Sequence, residues 1–208
     1  LEALIAAGAL DLIEDNRARL VEGLDRILAV AQRAAETKEA GQADIFGTPF
    51  AHDRVATLEE FATLLGRYPR MRAFVELKAV AIEAFVVETA NDLMLDACAA
   101  GRDQCIPVSF DARALRHVSG RGVAPIGWVL PAGDEPTRRT ADELVPDYLF
   151  VNRALVPQAG AALWSGLWRW VAYTANRASD VGDLLQRGFD LIETDDIRRM
   201  ASGLAARD

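Results

Sequence analysis

From Thr57 onward the chain alternates between two hydrophobic patterns. Apolar residues at spacings of three and four mark amphipathic helices, and short β-branched and aromatic runs mark strands. "TLEEFATLLGRYP" predicts a helix opened by Thr57 with Glu60 three residues later, the arrangement of a capping box. "AFVELK" predicts a strand, residues 79–100 one long helix, "QCIPVSF" a strand, and "DARALRHVS" a helix capped by Asp111. "APIGWVL" predicts a strand, followed by a Pro/Gly/Asp loop and a helical turn over "ADELV". "YLFVN", "RWVAYTA" and "DLIET" predict three more strands, with "ASDVGDLLQRG" as a helix ended by Gly188. Strands alternating with helices imply parallel βα units, in a doubly wound sheet or a barrel. Several strands end in polar residues, "ELK", "SFD", "YTAN" and "ETDD". That favours a barrel, where chemistry gathers at the carboxyl ends of the strands.

Residues 1–40 follow a different pattern, rich in Ala, Leu, Glu and Arg. Gly8 breaks a first short helix over "LEALIAAG", and Asp15 or Asn16 opens a second, longer one. Leu20, Leu24, Ile27, Leu28 and Ala31 form its apolar stripe, with Arg17, Glu22, Arg26 and Arg33 largely outside it. Gly41, Gly47 and Pro49 then supply a stop and a linker. The fold class expected is therefore α/β: a partial TIM-type (β/α) barrel over residues 48–208, preceded by a helical hairpin and linker over residues 1–47.

Composition narrows the function. The 208 residues are 51% hydrophobic and 26% charged, within the range of a soluble globular chain with a core. A net charge of −8 is the wrong sign for a general nucleic-acid backbone binder, so no nucleic-acid partner is expected. The two cysteines, Cys98 and Cys105, and the two histidines, His52 and His117, do not suit a Cys/His zinc site. The cysteines are expected to pack as small hydrophobes in a reducing compartment. No apolar run approaches the roughly 20 residues that span a bilayer. The acidic start of "LEALIAAGALDLIEDNRARL" is unlike a signal peptide, so a cytoplasmic location is expected. The chain opens on Leu rather than Met, as a piece of a longer protein would.

One short stretch raises a chemical question. In "FVELK", Glu76 and Lys78 lie two residues apart and share a side of the strand. They could be a solvated ion pair on an edge strand, or charges held at an active-site mouth by a metal and an anion. Other polar or aromatic clusters have plainer readings. Trp164, Trp168 and Trp170 suit packing, Asp195 or Asp196 suits a helix cap, and Arg138 with Arg139 suits a solvated loop.

Taken together, the strand ends resemble the carboxyl-terminal part of the glycerophosphodiester phosphodiesterases, which are TIM barrels. The matching segments are "VELK" (75–78), "VSFDARAL" (108–115), "IGWVLP" (126–131), "AYTAN" (172–176) and "RGFDLIETDDIRRM" (187–200), in the family's order over about residues 50–208. The resemblance implies metal-dependent hydrolysis of lipid-derived glycerophosphodiesters to glycerol 3-phosphate and an alcohol. It makes Glu76 a ligand of a divalent metal, Ca²⁺ or Mg²⁺, and Lys78 the catalytic cation that contacts the substrate phosphate. By the same analogy Trp128 and Tyr173 line the substrate site, and the partner is a small-molecule phosphodiester.

The family's His-Arg-Gly, Glu-x-Asp and His-Asp strands have no counterpart here. The His52–Asp53 pair in "FAHDR" stands directly before the "TLEEF" helix, and His117 lies near a helix end. One carboxylate offers one or two oxygens to a cation that takes six or more, so metal binding is expected to be weak and hydrolysis slight or missing. Asp53, Asp111 and Glu193 are the carboxylates that could replace the missing set. Open barrel edges are expected to favour self-association or cover by the hairpin. Residues 1–47 resemble a helical segment of the bacterial DNA polymerase III alpha subunit, in "LEALIAAGALD", "NRARLVEGLDRILAVAQRAA" and "GQADIFG". That resemblance implies the alternative of a non-catalytic replication scaffold.

Overall fold

The computed structural model describes residues 3–6, 56–155 and 162–205. Six of its strands run parallel and side by side: β2 (Ala73–Glu76), β3 (Cys105–Ser109), β4 (Gly127–Val129), β5 (Tyr148–Asn152), β6 (Arg169–Tyr173) and β7 (Leu191–Thr194). The described helices are α1 (Leu58–Leu65), α2 (Ala79–Phe85), α3 (Val87–Ala97), α4 (Ala112–Gly120), α5 (Glu135–Leu144), α6 (Ala178–Gln186) and α7 (Ile197–Ala205). Strand and helix alternate except between β5 and β6, where the described residues hold only a 3₁₀ turn, Arg153–Leu155, and the described sheet curls into a half-barrel.

Helix boundaries follow from local side-chain chemistry. The Thr57 hydroxyl accepts from the Glu60 amide at 3.2 Å, and the Glu60 carboxylate accepts from the Thr57 amide at 2.9 Å. This capping box satisfies two donors that a helix start leaves without partners. Asp111 caps α4 by accepting from the Arg113 amide at 2.8 Å, and Asp134 caps α5 by accepting from the Thr137 amide at 3.0 Å. After α6 the chain turns out through Gly188 at φ +95°, a conformation that other residues adopt only with strain.

Three elements differ from their sequence prediction. Residues 79–100 form two helices rather than one, because Val86 sits at φ +59° and breaks the ladder between α2 and α3. Helix α5 starts at Glu135 rather than at Ala141, so Arg138 and Arg139 are helical instead of lying in a loop. Asp134 ahead of Glu135 and Pro136 is a helix-start signal, since proline tolerates the first turn. Finally, Ala3–Ala6 is a strand, β1, where the Ala/Leu pattern predicted a short helix. Its antiparallel pairing with β7, Ala3 opposite Thr194 through Ala6 opposite Leu191, overrides the helical propensity of Ala and Leu, which a four-residue segment cannot express by itself. The rest of the predicted hairpin lies outside the described residues.

Strand β1 covers the edge at β7 that was expected to be open. At the other end of the sheet, no described strand pairs with the outer edge of β2.

The two faces of the half-barrel are both packed, but differently. Toward the helices, Trp128, Leu130, Leu149, Val151, Trp170 and Ile192 bury against Leu115, Val118, Leu144, Leu184 and Met200. On the inner face, Val108, Val129, Phe150, Val171 and Leu191 form a second cluster with Phe74, Tyr148 and Tyr173. Phe74 of β2 meets Tyr148 and Phe150 of β5 edge-on, with ring centroids 5.0 and 5.1 Å apart. Such contact across two intervening strands requires a strong curl and a small residue between. Gly127 is that residue: a Cβ there would lie 2.8 Å from a Phe150 ring carbon and 3.0 Å from a Val108 methyl.

Candidate functional site

Strand β2, at one edge of the described sheet, is anchored at both ends. Where it begins, the Gln104 amide nitrogen lies 3.2, 2.7 and 2.9 Å from the carbonyls of Leu65, Tyr68 and Met71, binding the turn that leads into the strand. At its exit, the Leu77 amide donates to the Val108 carbonyl at 2.8 Å. The buried Ser109 hydroxyl donates to the Leu77 carbonyl at 3.0 Å and accepts from the Asp111 amide at the same distance. Leu77 itself is buried, so Glu76 and Lys78 project on either side of a fixed residue.

Alternation puts Glu76 on the inner face with Phe74. Its side chain is 24% exposed, that of Lys78 is 64% exposed, and Nζ lies 2.5 Å from Oε2. The other carboxylate oxygen, Oε1, is buried with no hydrogen-bond partner. The pair thus presents an ammonium to solvent, held from behind by a carboxylate.

The register carries the same face across the sheet. Val108 pairs with Gly127, Val129 with Phe150, Asn152 with Tyr173, and Val171 with Leu191. Tyr173 and Glu193 therefore share the inner face with Glu76 at the carboxyl ends of their strands. Tyr173 is half-buried and Glu193 is buried. Trp128 is not brought to this face. It is 3% exposed among the helix-side core residues, and its indole donates to the Phe110 carbonyl at 3.1 Å. Pairing of Gly127 with Tyr148 and Val129 with Phe150 turns the intervening Trp128 outward. Phe110, which sequence reasoning passed over, is the exposed aromatic at the carboxyl end of β3.

The "AYTAN" and "ETDD" segments do meet. The Asn176 side-chain oxygen accepts from the Thr194 hydroxyl at 3.0 Å and the Asp195 amide at 2.9 Å, while its nitrogen donates to the Asp195 carboxylate at 2.9 Å. Asp196 accepts from the Arg199 amide at 2.9 Å and so caps α7. These residues brace the ends of β6 and β7 rather than forming a metal cluster. Trp168 and Trp170 are buried in the helix-side core, in accord with their packing role.

His52 and Asp53 lie outside the described residues. His117 is placed on α4, with Nε2 3.2 Å from an Asp92 oxygen that also takes a guanidinium proton from Arg121. Hydrogen bonding by His117, reinforced by Arg121, holds the Asp92 carboxyl below its usual range. Asp111 is likewise lowered, chiefly by the Arg113 guanidinium, whose Nη2 is 2.6 Å away. Its carboxylate is thus committed to its own helix start. Among the described residues no three His, Cys, Asp or Glu side chains gather where they could hold a metal ion. Glu76, already paired to Lys78, does not fit a Ca²⁺ or Mg²⁺ shell by itself.

Solved structures give the architecture a context. The chain is similar to an Oleispira antarctica phosphodiesterase in complex with the product sn-glycerol-3-phosphate, at 18% identity and a TM-score of 0.59. It is also similar to a glycerophosphodiester phosphodiesterase from Parabacteroides distasonis, at 15% identity and a TM-score of 0.58. It shares the fold of these phosphodiesterases. The alignments take in 73% and 74% of this chain but only 62% and 65% of those proteins. No family model matches the sequence, and no curated protein does. The phosphodiesterase resemblance read from the strand ends is thereby supported at the level of fold. Among the described residues no helix is long and apolar enough to cross a membrane.

Proposed function

We propose that this chain is a glycerophosphodiester phosphodiesterase-like domain that recognises the phosphate of a small glycerophosphoryl compound and turns it over slowly or not at all. The observation that carries the reading is the Glu76–Lys78 pair, set at the carboxyl end of an edge strand in a half-barrel similar to that of a phosphodiesterase holding sn-glycerol-3-phosphate. Lys78 supplies a point charge to a phosphate oxygen, the usual role of an exposed ammonium at such a site. Glu76 keeps that ammonium at the strand end. Tyr173, on the same face, offers an aromatic edge and a hydroxyl to the glycerol or head group.

Slow turnover is expected because the sequence carries no counterpart of the family's His-Asp and Glu-x-Asp strands. Proton transfer to the leaving alkoxide by a positioned acid is worth a factor of about 10² to 10⁴. His117 is committed to Asp92 on the helix side and does not serve there. No described carboxylate set completes a metal shell around Glu76.

Isothermal titration of the full chain with sn-glycerol 3-phosphate tests the reading, alongside a glycerophosphocholine hydrolysis assay with added Ca²⁺ or Mg²⁺. Saturable binding that disappears in Lys78→Ala, with little or no hydrolysis, is the expected result. Equal binding heats for the wild-type and Lys78→Ala chains would overturn the phosphate assignment.

A further inference from the structure

Cys98 and Cys105 are the chain's two cysteines. Cys98 ends α3, where its amide donates to the Met94 carbonyl at 3.0 Å, and Cys105 opens β3 after the 3₁₀ turn Ala99–Gly101. That turn doubles the chain back, so both cysteines enter one buried cluster with Phe61, Ala62, Leu65 and Ala73. Both also line a cavity of about 100 Å³ on the helix side of the sheet, together with Asp96, Arg102 and Arg121. On a comparable scale roughly 10–15 Å³ admits one water, so a molecule the size of a peroxide has room beside both sulfurs.

We propose that Cys98 and Cys105 form a redox-active dithiol, converted to an intramolecular disulfide by a small peroxide that enters this cavity. Hydrogen bonding between the two thiols supports the order of events. It pushes Cys98, which burial also raises, well up, and it pulls Cys105 below the ordinary thiol range. Cys105 is therefore the thiol that ionises first, and the thiolate is the nucleophile.

The Cys105 sulfur attacks one oxygen of hydrogen peroxide. The O–O bond breaks, and the departing hydroxide takes up the proton that Cys105 released on ionising, to leave as water. The Cys98 sulfur then attacks the Cys105 sulfenic acid. An S–S bond forms, the S–O bond breaks, and the second water leaves with the Cys98 proton. Two thiols lose two electrons and two protons, and the peroxide is reduced to two waters. The product joins the end of α3 to the start of β3, beside the register pair Ala73–Cys105 that begins the edge strand.

Trypsin provides a direct test, because Arg102 separates the two cysteines. The folded full chain is treated with hydrogen peroxide, quenched, alkylated in denaturant and digested. The expected outcome is a cross-linked pair of peptides carrying Cys98 and Cys105, an intact mass lower by two hydrogens, and recovery of both thiols with dithiothreitol. Three outcomes would overturn the proposal. The peptides could appear separately with alkylated thiols, oxygen could add to the sulfurs individually, or the cross-link could join two chains. Peroxide treatment in urea sets the reference: thiols that survive in the folded chain and link only after unfolding would show that the cavity gives no access.

Discussion

The Ser109 hydroxyl donates over 3.0 Å to the carbonyl of Leu77, the residue that separates Glu76 from Lys78. This bond, and the one Ser109 accepts from the Asp111 amide, ties the exit of the edge strand to the exit of its neighbour. Both Ser109 and Leu77 are buried, so water cannot replace a lost partner there.

Ser109→Ala is expected to lower stability by about 1–3 kcal/mol, the cost of a buried group left without its partner. Urea unfolding checks the magnitude. If Ser109 sets the geometry of the charged pair, the variant also weakens sn-glycerol 3-phosphate binding while leaving Lys78 in place. A variant as stable as wild type, with unchanged binding, would remove Ser109 from this role.

The curl of the sheet depends on Gly127. Gly127→Val puts carbon where Phe150 and Val108 already stand, at 2.8 and 3.0 Å from the first added atom. Overpacking of this kind costs typically about 1–3 kcal/mol, and the Phe74–Phe150 contact is the first to be disturbed. Thermal unfolding and the near-ultraviolet circular dichroism of the aromatic cluster would report the change. An unaltered aromatic spectrum would mean that the inner face has slack.

Much of this architecture was legible in the chain because its signals are local. Asp111 and Thr57 precede their helices, Gly188 follows one, and the parallel strands are short apolar runs between helical stretches. What was not legible depends on partners distant in sequence. The Ala/Leu pattern at Ala3–Ala6 says helix, and only the free edge of β7 makes it a strand. In "IGWVLP" nothing local tells which side Trp128 takes, since both faces of a covered parallel sheet are apolar. The register with β5 decides it, and the aromatic at the neighbouring strand end is Phe110 instead. The candidate site was readable as a charge pair in "VELK", whereas its support from Ser109 and Gln104 emerges only in three dimensions.

Helix starts should govern the acid limb of stability. Hydrogen bonding to Arg113 lowers the Asp111 carboxyl below its ordinary value of 3.8, and hydrogen bonding to Thr137 does the same for Asp134. The unfolded chain then binds more protons than the folded one in this range. The stabilising contribution is complete above about pH 5 and is lost as pH falls through 3.8 toward the folded values. Asp111→Asn and Asp134→Asn keep a capping acceptor but remove the charge, so each is expected to flatten the fall. Urea midpoints measured between pH 5 and pH 2 (on the order of the carboxylate range) decide it. A wild-type limb that both variants leave unchanged would assign acid sensitivity to other carboxyls.

Val145 closes α5 at φ +46°, in the left-handed region that costs a β-branched residue roughly 1–2 kcal/mol. It is largely exposed, so little packing is lost by trimming it. Val145→Gly is expected to raise stability by about 1 kcal/mol after the added freedom of the unfolded chain is deducted. A higher denaturation midpoint with an unchanged slope is the result to look for. A lower midpoint would show that the valine side chain contributes more than its strained backbone costs.

The Glu76–Lys78 pair separates an electrostatic role from a metal-binding one. An ion pair with one well-exposed partner contributes about 0–1 kcal/mol, so neither single substitution should unfold the chain. Lys78→Ala leaves the half-buried Glu76 carboxylate, one oxygen of which already has no hydrogen-bond partner, without its cation. It should therefore cost more stability than Glu76→Gln, and the double variant should recover part of the loss. Binding should follow a different order. Lys78→Ala and the double variant lose sn-glycerol 3-phosphate, while Glu76→Gln only weakens it by letting the ammonium wander. Hydrolysis of glycerophosphocholine stays near background in all four chains, with or without a chelator. Vigorous chelator-sensitive turnover in the wild type, abolished by Glu76→Gln, would reverse the assignment. Glu76 would then be a metal ligand, and the carboxylates that complete its shell would have to be sought first at Glu193, which shares the inner face, and at Asp53.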